Sequence, residues 1–193
     1  FRFGEAPRCD LADPTLAAKL EEAVAYARGL GDEAAPAALP RYLERSSADF
    51  VRAASPLRLH ETCQLVQAVE GTDEVAFSVS LQREPGLTRI SVAAGNADTQ
   101  GLFGRIVNHL GRKGLDISRA FLDVFRGEAG WVSSLGFVVH DEAGELLDAE
   151  GPAWRRLSAE LARLPWVDDH VLDRLDRHTE ETLLEAEVVI GVS

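Results

Sequence analysis

A chain of 193 residues with 46% apolar side chains can bury a sizeable core, as one domain of ordinary size or two small ones. Its net charge of −12 weighs against nucleic acid or an anionic membrane as partner, leaving room only for a local basic patch at Arg105, Arg112, Lys113 and Arg119. No run approaches the roughly 18 apolar residues of a membrane span, and two cysteines, Cys9 and Cys63, make neither a disulfide framework nor a metal cluster.

The chain begins at Phe1 and holds no Met. It is therefore expected to be an internal fragment or an incomplete sequence; no charged-then-apolar leader precedes Phe1, and with so few cysteines the cytoplasm is the expected location. Residues 1–12 show no periodicity and read as a loose lead-in. Asp13-Pro14 is a helix opening: Asp accepts from the first free N–H groups, and Pro fits the first helical position. Leu16, Leu20, Ala23, Val24 and Ala27 then share one face, and Gly29 or Gly31 ends the helix. Residues 31–40, acidic, Ala-rich and broken by Pro36 and Pro40, read as a linker.

One or two helical turns are expected in 41–54, capped by Ser47, with Phe50 and Val51 inward. Ser55-Pro56 opens a second clear helix whose Leu59, Cys63, Val66 and Val69 fall on one face. Gly71 stops it. A strand over Gln64–Glu70 is the second reading. The domain boundary is expected here: 1–55 as a helical N-terminal extension and linker, 56–193 as an α/β sandwich.

Val75–Leu81 alternates Val, Phe, Val and Leu against Ala, Ser and Ser, the pattern of a half-buried strand. A turn over 83–86 leads to a second strand, Thr88–Ala94, and the short connection predicts an antiparallel hairpin. Asp98 or Thr99 then caps a helix over 101–114 with an apolar stripe of Leu102 or Phe103, Ile106, Val107 and Leu110. Gly114 stands where a left-handed residue closes a helix. Ile117–Phe125 carries apolar groups on both faces and is expected to be a central strand. A Gly-containing turn and a further strand, Trp131–His140, follow. An acidic loop over 141–151 comes next, then a helix opened by Pro152 with Trp154, Leu157, Leu161 and Leu164 on one stripe, broken by Pro165.

The stretch Leu87–Val139 thus reads strand–helix–strand–strand, three quarters of the split β-α-β unit of ferredoxin-like sandwiches. The fold class is α+β: an antiparallel sheet with helices on one face. Completing the unit calls for a strand after the last helix, from Val171–Leu175 or Val188–Val192. Both stretches fit a helix equally well.

No catalytic constellation emerges. Lys113 lies at a helix C-terminus, where the dipole favours a cation, and reads as a structural cap. Gly101 and Gly104 open a helix but lack the remaining glycine of a dinucleotide-binding turn. The five histidines show no metal spacing, and Asp168-Asp169-His170, the one acidic–His cluster, reads as a solvated helix start or turn. Cys63 reads as a small buried hydrophobe. Cys9, in the lead-in without a flanking base, is not expected to be reactive. No Gly-x-Ser-x-Gly elbow is present. Catalytic and metal-binding residues are therefore expected to be none.

Two resemblances follow from these residues. Asn96-Ala97-Asp98-Thr99-Gln100-Gly101-Leu102-Phe103 with Gly114-Leu115-Asp116-Ile117 resembles the loop, helix and strand entry of ACT domains. Those are ferredoxin-like modules that often pair side by side and bind amino acids. Gln100 replaces the usual Pro. Thr88-Arg89-Ile90, Gly104-Arg105-Ile106, Leu110-Gly111-Arg112, Gly114–Val124 and Leu164–Asp169 resemble the ACT-like N-terminal region of large bacterial NAD-dependent glutamate dehydrogenases, from about Ser47 onward. The resemblance implies a parent that oxidises glutamate to 2-oxoglutarate with NAD held elsewhere. This chain would be a non-catalytic regulatory or oligomerisation domain, its partners its own copies or the catalytic domains. It also implies an effector site at Asn96, Asp98, Thr99, Gln100, Gly101 and Leu102, where free N–H groups of a helix start could meet an amino-acid carboxylate. The alternative is an independent ACT-type amino-acid sensor.

Overall fold

In a computed structural model the described residues are 7–81, 87–127, 130–141 and 151–166. Four helices lead: α1 (Pro14–Gly29), α2 (Ala35–Leu43), α3 (Ala48–Ala53) and α4 (Pro56–Val69). Strands β1 (Val75–Leu81) and β2 (Thr88–Gly95), helix α5 (Thr99–Arg112), strands β3 (Leu115–Gly127) and β4 (Gly130–Asp141) and helix α6 (Pro152–Leu161) follow. A single 3-10 turn at Leu164–Trp166 closes the described chain. The turn over 83–86, the loop over 142–150, the Asp168-Asp169-His170 cluster and both candidate C-terminal strands lie outside the described residues.

The helices start where local chemistry starts them. Asp13 accepts from the Thr15 amide ahead of Pro14, Ser47 from Phe50, and Ser55 from Arg58 ahead of Pro56. Leu59, Cys63, Val66 and Val69 are all buried, so the face read from their spacing is the inward one. Gly71 and Gly114 take left-handed φ values of 73° and 71° just past helix ends, a conformation that favours glycine.

The linker expected over 31–40 is instead mostly helix. Asp32 accepts from both the Ala34 and Ala35 amides at 3.1 Å, and Leu39, Tyr42 and Leu43 are buried. Pro36 sits in the first turn, where its missing N–H costs little, whereas Pro40 lies inside the helix. Alanine's helix propensity and the burial of those three side chains outweigh it. The lead-in also proves fixed from Pro7 onward. Cys9 is 5% exposed, its amide donates to Ser46, and Arg8 bridges Ser47.

The four strands form one antiparallel sheet in the order β1-β2-β4-β3. With neighbours antiparallel, β2 and β3 run the same way with β4 between them. That is the split β-α-β unit, an α+β arrangement compatible with a ferredoxin-like fold. The fourth described strand precedes the unit rather than following α6: β1 pairs with β2. Among the described strands the long β3 lies at the sheet edge and not at its centre. Its apolar groups on both faces have another cause. Phe125 meets Phe50 edge-on at 5.8 Å, and the Arg58 guanidinium lies 3.9 Å from the centre of the Phe121 ring. On β2 both faces are covered, Ser91 and Ala93 being buried along with Val92 and Ala94.

The chain divides into two compact units. The first holds the chain up to Ser78 with Ser91–Ala97 and Phe121–Gly136; its core joins the helical residues to Ala93, Phe125 and Val132. In it Arg45 forms a short ion pair with Glu70 and donates from Nε to the Arg126 carbonyl at 2.8 Å. The second unit holds Val79–Ile90, Asp98–Ala120 and the chain from Phe137; there Leu102, Ile106 and Leu110 of α5, Leu157 and Leu161 of α6, and Phe137 are buried.

Candidate functional site

The six residues expected to hold an effector have the following places. Asp98 is the N-cap of α5. Its two carboxylate oxygens accept from the Gln100 amide at 3.3 Å and the Gly101 amide at 3.2 Å. Those are among the N–H groups that a helix start offers to an anion. The protein's own carboxylate already meets them. A Cβ on Gly101 would meet the tip of the Asp98 carboxylate, which would have to shift. Leu102 is 1% exposed and packs into the core. Thr99 is half-buried and Gln100 exposed.

Asn96 has a left-handed φ of 51°, a region that Asn tolerates better than most residues. Its side-chain amide donates to the Thr72 carbonyl at 3.5 Å and to Asp73 at 3.3 Å. The sequence thus placed the polar groups correctly on one loop and helix start, and the structure binds Asn96 and Asp98 to their own chain. Asp98→Ala should cost about 1 kcal/mol in urea unfolding, the usual worth of an N-cap. If the variant also gains affinity for acetate or glutamate by calorimetry, the cap is what occupies the anion position.

Among the described residues two titratable clusters elsewhere centre on a buried histidine, and neither is visible in the sequence because their members are far apart in it. In the first, His60 is 5% exposed and its Nε2 lies 2.8 Å from Asp32 Oδ2, with Tyr26 edge-on to the imidazole. The hydrogen bond from His60, followed by the Ala34 and Ala35 amides, outweighs desolvation and holds the Asp32 carboxyl below its ordinary value. His60, Asp32, Cys63, Gln64 and Leu39 line a cavity of about 270 Å³. The composition suggests a Cys–His–Asp nucleophile. Burial argues the reverse, pushing the Cys63 thiol up to about 12. A thiol that stays protonated is a poor nucleophile. Burial also raises Cys9.

In the second cluster, Glu160 of α6 is fully buried and its Oε2 accepts from His109 Nε2 and Lys113 Nζ, each at 2.8 Å. Lys113 is the C-cap of α5, as its helix-end position suggested. Burial raises the Glu160 carboxyl. The hydrogen bonds and charges of His109 and Lys113 outweigh that and leave it below its ordinary value. Arg105 adds a second tie from α5, donating to the Leu164 carbonyl at 3.3 Å. This cluster joins two helices; its carboxylate is turned away from solvent.

Among the described residues no group of three or more His, Cys, Asp or Glu stands in position to hold a metal ion, and no helix is long and apolar enough to cross a membrane. The chain matches no protein-family model and no curated protein.

Proposed function

We infer that the chain is a non-catalytic accessory domain, regulatory or oligomerising, of a large NAD-dependent glutamate dehydrogenase. On this reading the parent's catalytic part binds NAD and oxidises glutamate to 2-oxoglutarate, and this domain works through contacts with its own copies or with that part. The observation that carries the contact role is β3. Among the described strands it lies at the sheet edge, and it is 13 residues long. Asp116 and three consecutive residues, Ser118, Arg119 and Ala120, are exposed on it. An exposed strand edge is a template on which a second strand can pair; further along β3 that place is taken, the Arg126 amide donating to the Arg45 carbonyl at 3.4 Å and its carbonyl accepting from Arg45 Nε at 2.8 Å. The self-capped start of α5 supports the same reading, since an effector would have to displace Asp98.

Sedimentation velocity on the full chain tests it. We expect concentration-dependent association. Successive amides of a strand point to opposite neighbours. One of Arg119→Pro and Ala120→Pro should therefore abolish association with little loss of stability, and the other should weaken the β3–β4 ladder. A chain that stays monomeric at every concentration, and that leaves the parent's catalytic part unbound, would overturn the contact role. Calorimetry with a panel of amino acids separates the sensor alternative. Silence is expected, and a Kd tighter than about 1 mM, or −4.1 kcal/mol, favours a sensor. Turnover of glutamate and NAD by the chain alone would make it an enzyme in its own right.

A further inference from the structure

The first unit carries a large aromatic side chain in the open. Trp131, near the start of β4, is 44% exposed; among the described residues only Leu30 is a comparably exposed large hydrophobe. Trp131 is also held still. Its indole N–H donates to the Ala97 carbonyl at 2.9 Å, and its own carbonyl accepts the Asn96 amide at 2.9 Å. Gly130 before it adopts a φ of 119°, and a Cβ there would strike the Asn96 side-chain oxygen. A ring fixed before binding loses little conformational entropy on binding, and rigid exposed tryptophans are the residues that anchor interfaces.

The neighbouring charge says what covers it. Asn96, whose amide is bonded to Trp131, reaches with its side chain to the Asp73 carboxylate at 3.3 Å. Asp73 and Glu74 are both exposed, and the Glu74 carbonyl accepts the Gly95 amide at 3.1 Å. Two carboxylates therefore stand on the segment that Asn96 ties to Trp131. An indole face is the negative pole of its quadrupole and attracts cations, most often guanidinium. Carboxylates on the tied segment add charge of the same sign, and they match guanidinium geometry. An apolar partner would have to strip water from both carboxylates without replacing it.

We propose that Trp131, Asp73 and Glu74 form a docking site for an arginine-bearing segment of a partner protein, the guanidinium lying over the indole and bonded by a carboxylate. This site uses none of the exposed β3 residues and does not depend on the parent enzyme's identity.

Titration of the full chain with a blocked Gly-Arg-Gly-Arg-Gly peptide, followed by the Trp131 indole N–H resonance, tests the proposal. The resonance is assigned by its loss in Trp131→Phe. We expect a saturable shift. It should weaken about tenfold or more when citrulline replaces arginine, because the charge is gone while the shape remains. Asp73→Asn with Glu74→Gln should weaken it several-fold, as should a rise in salt from about 50 to 300 mM, since exposed charges are screened. An unchanged urea midpoint shows that the double variant is folded. Equal shifts from the citrulline peptide, or no shift at about 5 mM arginine peptide, would overturn the proposal, a millimolar Kd being near the floor of specific recognition. A shift that appears on concentrating the protein alone would also overturn it, by giving the site to a second copy.

Discussion

Replacing Glu160 by alanine is expected to cost about 3–5 kcal/mol of stability, the usual result of removing one partner from a buried ion pair. The size comes from what is left behind. Glu160 Oε2 accepts both His109 and Lys113. His109 is 2% exposed and its Nδ1 has no partner among the described residues, so losing Glu160 leaves both ring nitrogens buried without a described partner. Lys113 suffers less, because its side chain is 30% exposed and can turn to water. The double variant Glu160→Leu with His109→Leu should recover most of the loss, since a buried pair replaced by apolar groups of similar volume is often neutral. A double variant as unstable as the single one would mean that volume, not charge pairing, sets the cost.

The same carboxylate fixes a sign for pH. Its folded pKa lies below the ordinary 4.5, burial being outweighed by the His109 and Lys113 bonds. Its contribution is therefore complete above 4.5 and disappears as pH falls through the lower folded value. The gap between wild type and Glu160→Gln in urea unfolding should narrow as pH falls below 4.5. A gap that widens in acid would mean that Glu160 is protonated in the folded chain.

What the sequence revealed, and what it hid, follows from the range of each interaction. Asp13, Ser47, Ser55 and Asp98 act on amides two or three residues away, so their helix starts can be read directly. The alternation of Val75–Leu81 and the stripe of α5 are equally local. Helix α2 was hidden because Pro36 and Pro40 signal a break, while the burial of Leu39, Tyr42 and Leu43 that overrides them depends on distant packing partners. The edge position of β3 was hidden because apolar groups on both faces signal a central strand, yet Phe121 and Phe125 are covered by Arg58 and Phe50 of the leading helices. The His60–Asp32 and His109–Glu160 pairs join residues 28 and 51 positions apart, and a scan for metal or triad spacing cannot find them. In the expected effector loop the residue types were legible. Asp98's commitment to its own helix was only half legible, since a capping Asp and an anion-binding loop share one vocabulary.

Gly95→Ala is expected to destabilise the chain by about 3 kcal/mol, at the upper end for overpacking. Gly95 ends β2 against the turn between α4 and β1. A Cβ built on it would lie 2.8 Å from the Val69 carbonyl oxygen and nearer still to that of Thr72. Neither oxygen can yield as a side-chain tip would. The Val69 carbonyl accepts the Thr72 amide at 3.1 Å and the Thr72 hydroxyl at 2.9 Å, and the Thr72 carbonyl accepts from Asn96 at 3.5 Å. Relieving the clash means moving the turn or the strand end, at the expense of the Gly95 amide bond to Glu74. The effect is steric rather than conformational, because Gly95 is not among the positive-φ glycines. Gly104→Ala is the matched control. Gly104 lies within α5 and a Cβ there meets nothing within 4 Å. Alanine at that position should stabilise by about 0.5–1 kcal/mol through helix propensity and a less flexible unfolded chain. The two substitutions are chemically identical, so opposite shifts of the urea midpoint at an unchanged slope would isolate the close approach at Gly95. Shifts of the same sign would show that the turn at Thr72 can give way.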